Sequence, residues 1–142
     1  MATVGMPDNG AEFFCFVRGG IGENKDLVLF PTYAHLLCAA AALGSARGVY
    51  VDEPVLREKD PRPIELETFK TQELYDLILI MVIKYCGDVD VVRDVSKICA
   101  NFVSLAAGGF DEMRAAYKEC ASEHYWPEAW ENLVLEYAPE RG

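Results

Sequence analysis

Apolar residues recur at helical spacing through most of the chain after residue 32, and this pattern constrains the fold more than any other feature of the sequence. Apolar residues three and four positions apart form one continuous stripe along an α-helix. The pattern predicts helices over 33–43, 72–86, 90–107, 110–123 and 127–137. Their short connections predict a mainly α fold, an irregular bundle of about five helices within one domain spanning 1–142.

The expected ends of these helices rest on capping residues and glycines. Thr32 and Thr71 are expected to cap the first and second helices. Gly44 and Gly87 are expected to end them, and Gly108-Gly109 is expected to form a turn between the third and fourth. The second helix carries apolar residues on nearly every side, so we expect it to be buried on most sides.

A minor β element is expected beside the helices. Residues 64–69 alternate apolar and polar side chains, as a half-buried strand does, and we expect them to pair with residues 49–51 as a two-stranded element. The aromatic run 12–18 fits either a strand or a buried helical turn. Residues 1–11 and 139–142 are expected to be flexible.

Composition excludes several functional classes. The 142 residues carry a net charge of −10, which argues against direct nucleic-acid binding and suits docking to a basic partner. Five cysteines without a CxxC pair indicate reduced thiols in a cytoplasmic protein and predict no metal site. The longest apolar run, about residues 75–83, is too short to cross a membrane. We expect no cofactor.

Three groups of residues are candidates for function. His35 and Cys38, three positions apart on one helix, are the only support for an enzyme, and we expect none. The basic residues of the proline-containing loop fit either solvated surface or a protein contact. The C-terminal tryptophans fit either core packing or an anchor for a partner or a second copy. The candidate partner-binding residues are therefore Arg57, Lys59, Arg62, Trp126 and Trp130.

Three stretches of the chain together resemble a known family. They are residues 25–47 with the segment Phe30-Pro31-Thr32, the segment 64–69, and residues 74–110 with Gly87-Asp88 and Ala106 to Phe110. The pattern resembles the small accessory proteins associated with bacterial DNA phosphorothioation (Dnd) systems, and the likeness covers roughly residues 25–115.

The resemblance implies an accessory protein of a DNA-modification and defence locus, without catalytic residues that can be transferred. The leading hypothesis is a non-enzymatic accessory or regulatory protein that docks onto a larger protein of the same locus. The process that it serves is either DNA modification or restriction. The alternative is a DNA-binding or DNA-mimicking regulator. A homo-oligomer is compatible with both.

Overall fold

In a computed structural model of the protein, the residues described are 2–18, 28–58, 61–122 and 125–137. They form five α-helices, two 3-10 helices and one two-stranded sheet, which confirms a mainly α fold with a minor β element. The strands are β1 (Thr3–Val4) and β2 (Ile64–Glu65), and the 3-10 helices are Asp8–Phe16 and Val89–Arg93. The α-helices are α1 (Tyr33–Arg47), α2 (Leu66–Thr71), α3 (Tyr75–Cys86), α4 (Val95–Lys118) and α5 (Trp126–Tyr137).

The centre of the fold is the crossing of α1 and α4, whose backbones touch. A Cβ atom added to Gly109 would overlap the backbone carbonyl of Ala40, and one added to Gly44 would overlap the carbonyl oxygen of Leu105. Glycine is the residue that allows this approach because it has no side chain. The crossing is also tied at its edge by an ion pair between Arg47 and Glu112, at 2.5 Å.

This packing corrects two predictions. Gly108-Gly109 does not form a turn, because α4 runs unbroken through both residues, and the predicted helices 90–107 and 110–123 are largely one helix. Gly44 does not end α1, which continues to Arg47 and is capped by Gly48 at a φ of 67°. Both predictions failed because a glycine inside a helix and a glycine that ends one look alike in sequence.

Two other helix ends agree with the sequence. Thr32 caps α1, since its Oγ1 accepts a hydrogen bond from the backbone N–H of His35 at 3.3 Å. Gly87 caps α3 in the left-handed conformation, at a φ of 68°. Thr71, however, is the last residue of α2 and not the cap of α3, which begins after Leu74.

The β element differs from the expectation. Only residues 64–65 are extended, and they pair antiparallel with Thr3–Val4 rather than with residues 49–51. The remainder of the predicted strand is α2, where Leu66 and Phe69 are buried. These two side chains lie three positions apart, and this spacing puts them on one side of a helical turn.

The N-terminal segment belongs to the core. Flexibility was expected for residues 1–11, but Val4 and Met6 have no exposed surface. In the 3-10 helix Asp8–Phe16 that follows, Phe13 and Phe16 are also fully buried. Of the two structures considered for residues 12–18, the structure therefore shows mostly a buried helical turn. Residues 139–142 lie outside the described residues.

The same segment is fastened to α4 by polar contacts. The Asn9 side-chain amide donates to the carbonyl oxygen of Ala107 at 2.8 Å and to Asp111 Oδ1 at 2.9 Å. Further along, Arg114 Nε donates to Glu12 Oε1 at 2.7 Å. These contacts join residues about a hundred positions apart in sequence and hold the first part of the chain along the middle of the longest helix.

We expect Gly109→Ala to destabilise the fold by about 3 kcal/mol, because the added methyl group forces α1 and α4 apart. At an exposed helical position the same change would be stabilising by about 1 kcal/mol, so the sign itself reports the crossing. Urea denaturation followed by circular dichroism measures the change.

Gly48→Ala is the matched control for this variant. Its left-handed backbone costs about 1 kcal/mol, but no atom lies within 4 Å of the added methyl group. Equal losses in both variants would contradict the role of the helix crossing.

Candidate docking surfaces

The predicted basic loop is only partly available for a partner. Arg57 pairs with Asp8 at 3.0 Å and lies over the ring of Phe14, with 5.3 Å from its guanidinium carbon to the ring centroid. It therefore helps to attach the loop to the N-terminal segment. Arg62 is exposed, whereas Lys59 lies outside the described residues.

The two candidate tryptophans are brought together, with 6.1 Å between their ring centroids. Trp126 has no exposed surface and packs against Phe13 and Tyr117, so it serves the core and does not offer an anchor to a partner. Trp130 is half-buried and packs edge-on against Phe30 at 5.7 Å. Of the five candidates, Arg62 is thus the one whose side chain the structure shows to be exposed, and Trp130 is accessible in part.

The outer side of α3 carries an apolar surface that the sequence pattern assigned to the interior. Leu77 is 40% exposed and Ile80 is 64% exposed, whereas Ile78 and Val82 on the opposite side are fully buried. The expectation that this helix is buried on most sides is therefore wrong. α3 packs against α1, α4, α2 and the 3-10 helix that follows it, and these contacts leave Leu77 and Ile80 exposed.

The 3-10 helix that follows α3 adds further exposed apolar side chains. Val89 is 65% exposed and Val92 is 38% exposed, while Val91 between them is buried and attaches the turn to the core. Val95, the first residue of α4, is 43% exposed. We call the exposed side chains of these consecutive elements the outer apolar surface: Leu77, Ile80, Val89, Val92 and Val95.

One signal in the sequence could have identified part of this surface. Residues 77–83 are seven consecutive apolar residues, so about two turns of the helix have no polar side chain to offer to water. Such a helix is either enclosed by its own fold or covered by something else. A chain of this size has few helices to enclose it, which favours the second possibility.

The pair considered for an enzyme consists of a buried thiol and an imidazole that contacts a hydroxyl group. Burial raises the pKa of the Cys38 thiol to about 12, so the thiol is protonated at neutral pH and is a poor nucleophile. His35 Nδ1 lies 2.9 Å from Thr32 Oγ1, which in turn donates to Gln72 Oε1 at 2.8 Å. The imidazole is thus engaged at the cap that begins α1.

Negative charge is concentrated in the hairpin formed by the second half of α4 and α5. Residues 111–137 include seven acidic and two basic residues, a net charge of −5, which is half of the charge of the whole chain. Within α5 itself there are three glutamates and no basic residue. This hairpin is the most acidic stretch of its length in the sequence.

Metal-binding clusters and membrane-spanning helices are both absent from the described residues. No group of three or more histidine, cysteine, aspartate or glutamate side chains within them is placed to hold a metal ion. No helix in the same part of the chain has the length and apolar character needed to cross a membrane.

These features define a small, mainly α-helical protein with an uncovered apolar surface on one helix and a strongly acidic C-terminal hairpin. Residues 21–129 match the family described as DNA sulphur modification system-associated protein 4, and the chain belongs to this family. The resemblance to Dnd-associated proteins predicted from the sequence is thereby confirmed. No curated protein and no solved structure matches the chain.

We expect the free energy of unfolding to fall as the pH rises above about 9. The thiol of Cys38 ionises near its ordinary pKa of 9.0 when the chain is unfolded, whereas burial raises its pKa to about 12 in the fold. The unfolded state therefore loses the proton first and is favoured at alkaline pH. Urea denaturation over a series of pH values measures this slope.

The control is Cys38→Ala, which should make the alkaline loss of stability shallower without abolishing it. Burial also raises the thiol pKa of Cys99 and contributes in the same direction. An unchanged slope in Cys38→Ala would contradict the buried, protonated thiol.

Proposed function

We propose that this protein is a non-enzymatic accessory or regulatory subunit of a bacterial DNA phosphorothioation system, acting in the cytoplasm by docking onto a larger protein of the same locus. Membership in the family associated with DNA sulphur modification gives the system. The observation that supports docking is the outer apolar surface, where Ile80 and Val89 leave nearly two thirds of their surface in water.

Exposed apolar side chains favour a protein partner for a physical reason. Removing apolar surface from water contributes about 25 cal/mol per Å², and exposed apolar side chains grouped on one surface mark interaction sites more often than isolated ones do. The surface is also built on rigid structure, since Ile78, Val82 and Val91 fix α3 and the following turn to the core. It lies within the residues that match the family.

The non-enzymatic part of the proposal is supported by the state of the candidate nucleophile. Cys38 is buried and its raised pKa keeps it protonated, while the ring of His35 is engaged with Thr32. Substitution of His35 and Cys38 should therefore leave the contribution of this protein to DNA sulphur modification unchanged, provided the fold is retained.

We expect Leu77→Gln/Ile80→Gln to lose capture of the partner by about tenfold or more, because the few residues at the centre of an interface each cost more than about 1 kcal/mol when their contacts are removed. Glutamine preserves helix propensity, so α3 should persist. The measurement is co-purification of the tagged protein expressed from its native locus, with mass spectrometry of the proteins encoded beside it.

Val55→Gln is the matched control, since Val55 is 75% exposed on a loop whose backbone is hydrogen-bonded to Asp8, and it should tolerate the change. Recovery of a locus-encoded protein by the wild type and by Val55→Gln, but not by the α3 double variant, supports the proposal. Equal recovery by all three, or recovery of no locus-encoded protein, contradicts it.

A second candidate, a DNA-mimicking regulator, is favoured by the acidic hairpin. Residues 111–137 carry a net charge of −5, and a protein surface that binds the negative phosphates of DNA would also attract this negative hairpin. If the protein mimics DNA, duplex DNA added at low salt should release it from the captured partner. If DNA and this protein bind the partner together, mimicry is excluded.

A further inference from the structure

A cleft of about 520 Å³ lies between the second half of α4 and α5. Its lining combines apolar and polar groups. Leu133 is buried and Ala116 and Ala129 are half-buried, whereas Ala115, Glu119 and Asn132 are exposed. The alanines leave room beside the two helices, and the exposed polar groups offer oxygen atoms at the opening.

The electrostatic environment of this cleft is negative. Glu119 is the C-terminal cap of α4, where the carbonyl groups of the last helical turn add partial negative charge. The pKa of the neighbouring Cys120 thiol is raised, first by burial and then by the charge of Glu119. Arg47 also lines the cleft, but Glu112 pairs with it at 2.5 Å.

We propose that this cleft binds a lysine or arginine side chain from a basic segment of a partner protein. The long aliphatic stem would pack against Leu133 and the alanines, while the charged head would reach Glu119 and the amide oxygen of Asn132. Long basic side chains bind in this divided way because the stem is apolar and the head is charged.

Charge complementarity selects this occupant over the others. An anionic ligand such as nucleic acid would be repelled by the net charge of −5 in the hairpin. A second copy of this chain placed on the same surface would bring an identical negative charge against it. A basic protein segment complements the cleft in both respects, because its side chains have apolar stems for the lining and positive heads for the negative charge.

The inference deepens the proposed docking function, on which it rests, but it concerns a surface other than the outer apolar surface of α3. It is tested on the purified full chain with a fluorescently labelled peptide of alternating lysine and alanine, by fluorescence anisotropy at low salt. The peptide assay does not need the locus-encoded partner. The docking proposal can therefore fail in the co-purification experiment without deciding the result of the peptide assay, and the reverse is also true.

We expect Ala115→Leu to weaken peptide binding by about tenfold, because the larger side chain fills the cleft without changing the charge. Glu119→Gln should weaken it by roughly two- to fivefold, in the range of an exposed ion pair, since Glu119 is exposed. The matched controls are Ala42→Leu on the exposed side of α1 and Glu58→Gln on the loop, and both should bind as the wild type does.

Two results would overturn the proposal. If Ala115→Leu binds the peptide as tightly as Ala42→Leu while retaining the wild-type circular dichroism spectrum, the cleft is not the site. If Glu58→Gln weakens binding as much as Glu119→Gln, the peptide responds only to overall charge. A peptide in which diaminobutyrate replaces lysine should bind more weakly, since its shorter stem cannot span the apolar lining.

Discussion

The close crossing of α1 and α4 is the constraint on which the rest of the structure depends. Gly44 and Gly109 remove the side chains that would otherwise separate the helices, and the backbone of Ala40 lies directly against α4. The two helices also supply many of the buried apolar side chains, so they form the centre against which the other elements pack.

Aromatic side chains from distant parts of the chain add a second group of contacts to the core. Phe13 packs against Phe110 of α4, Tyr117 and Trp126, with 5.2 Å between its ring centroid and that of Trp126. Each fully buried side chain of this kind contributes roughly 1.5–3 kcal/mol. The cluster joins the N-terminal 3-10 helix, α4 and α5, and it explains why Trp126 is part of the core.

The features that could be predicted from the sequence are those that depend only on residues close together in the chain. Thr32 and Gly87 were predicted correctly because a cap depends on the residue and its nearest neighbours. Gly44 and Gly109 were misread because their role depends on the helix across from them. Residues 64–69 were misread because alternation over six residues also fits a short helix once Leu66 and Phe69 face the core.

The candidate surfaces show the same division. The acidic character of residues 111–137 can be counted directly from the sequence. The seven consecutive apolar residues 77–83 can be read from the sequence too, but that Leu77 and Ile80 are the exposed ones depends on the helices packed around them. The cleft between α4 and α5 depends on the relative placement of two helices, which no local pattern encodes.

The contacts of the N-terminal segment have a consequence for how the protein is made. Phe13 and Phe16 are translated about a hundred residues before their aromatic partners Tyr117 and Trp126. Until α4 and α5 follow, the nascent chain cannot form these ring contacts. Such distant pairing also slows folding, because a long loop must close before its contacts form. The protein therefore completes this part of its core only after α5 has been synthesised, and a chain that stops before α5 leaves the 3-10 helix Asp8–Phe16 without the tryptophan that packs on it.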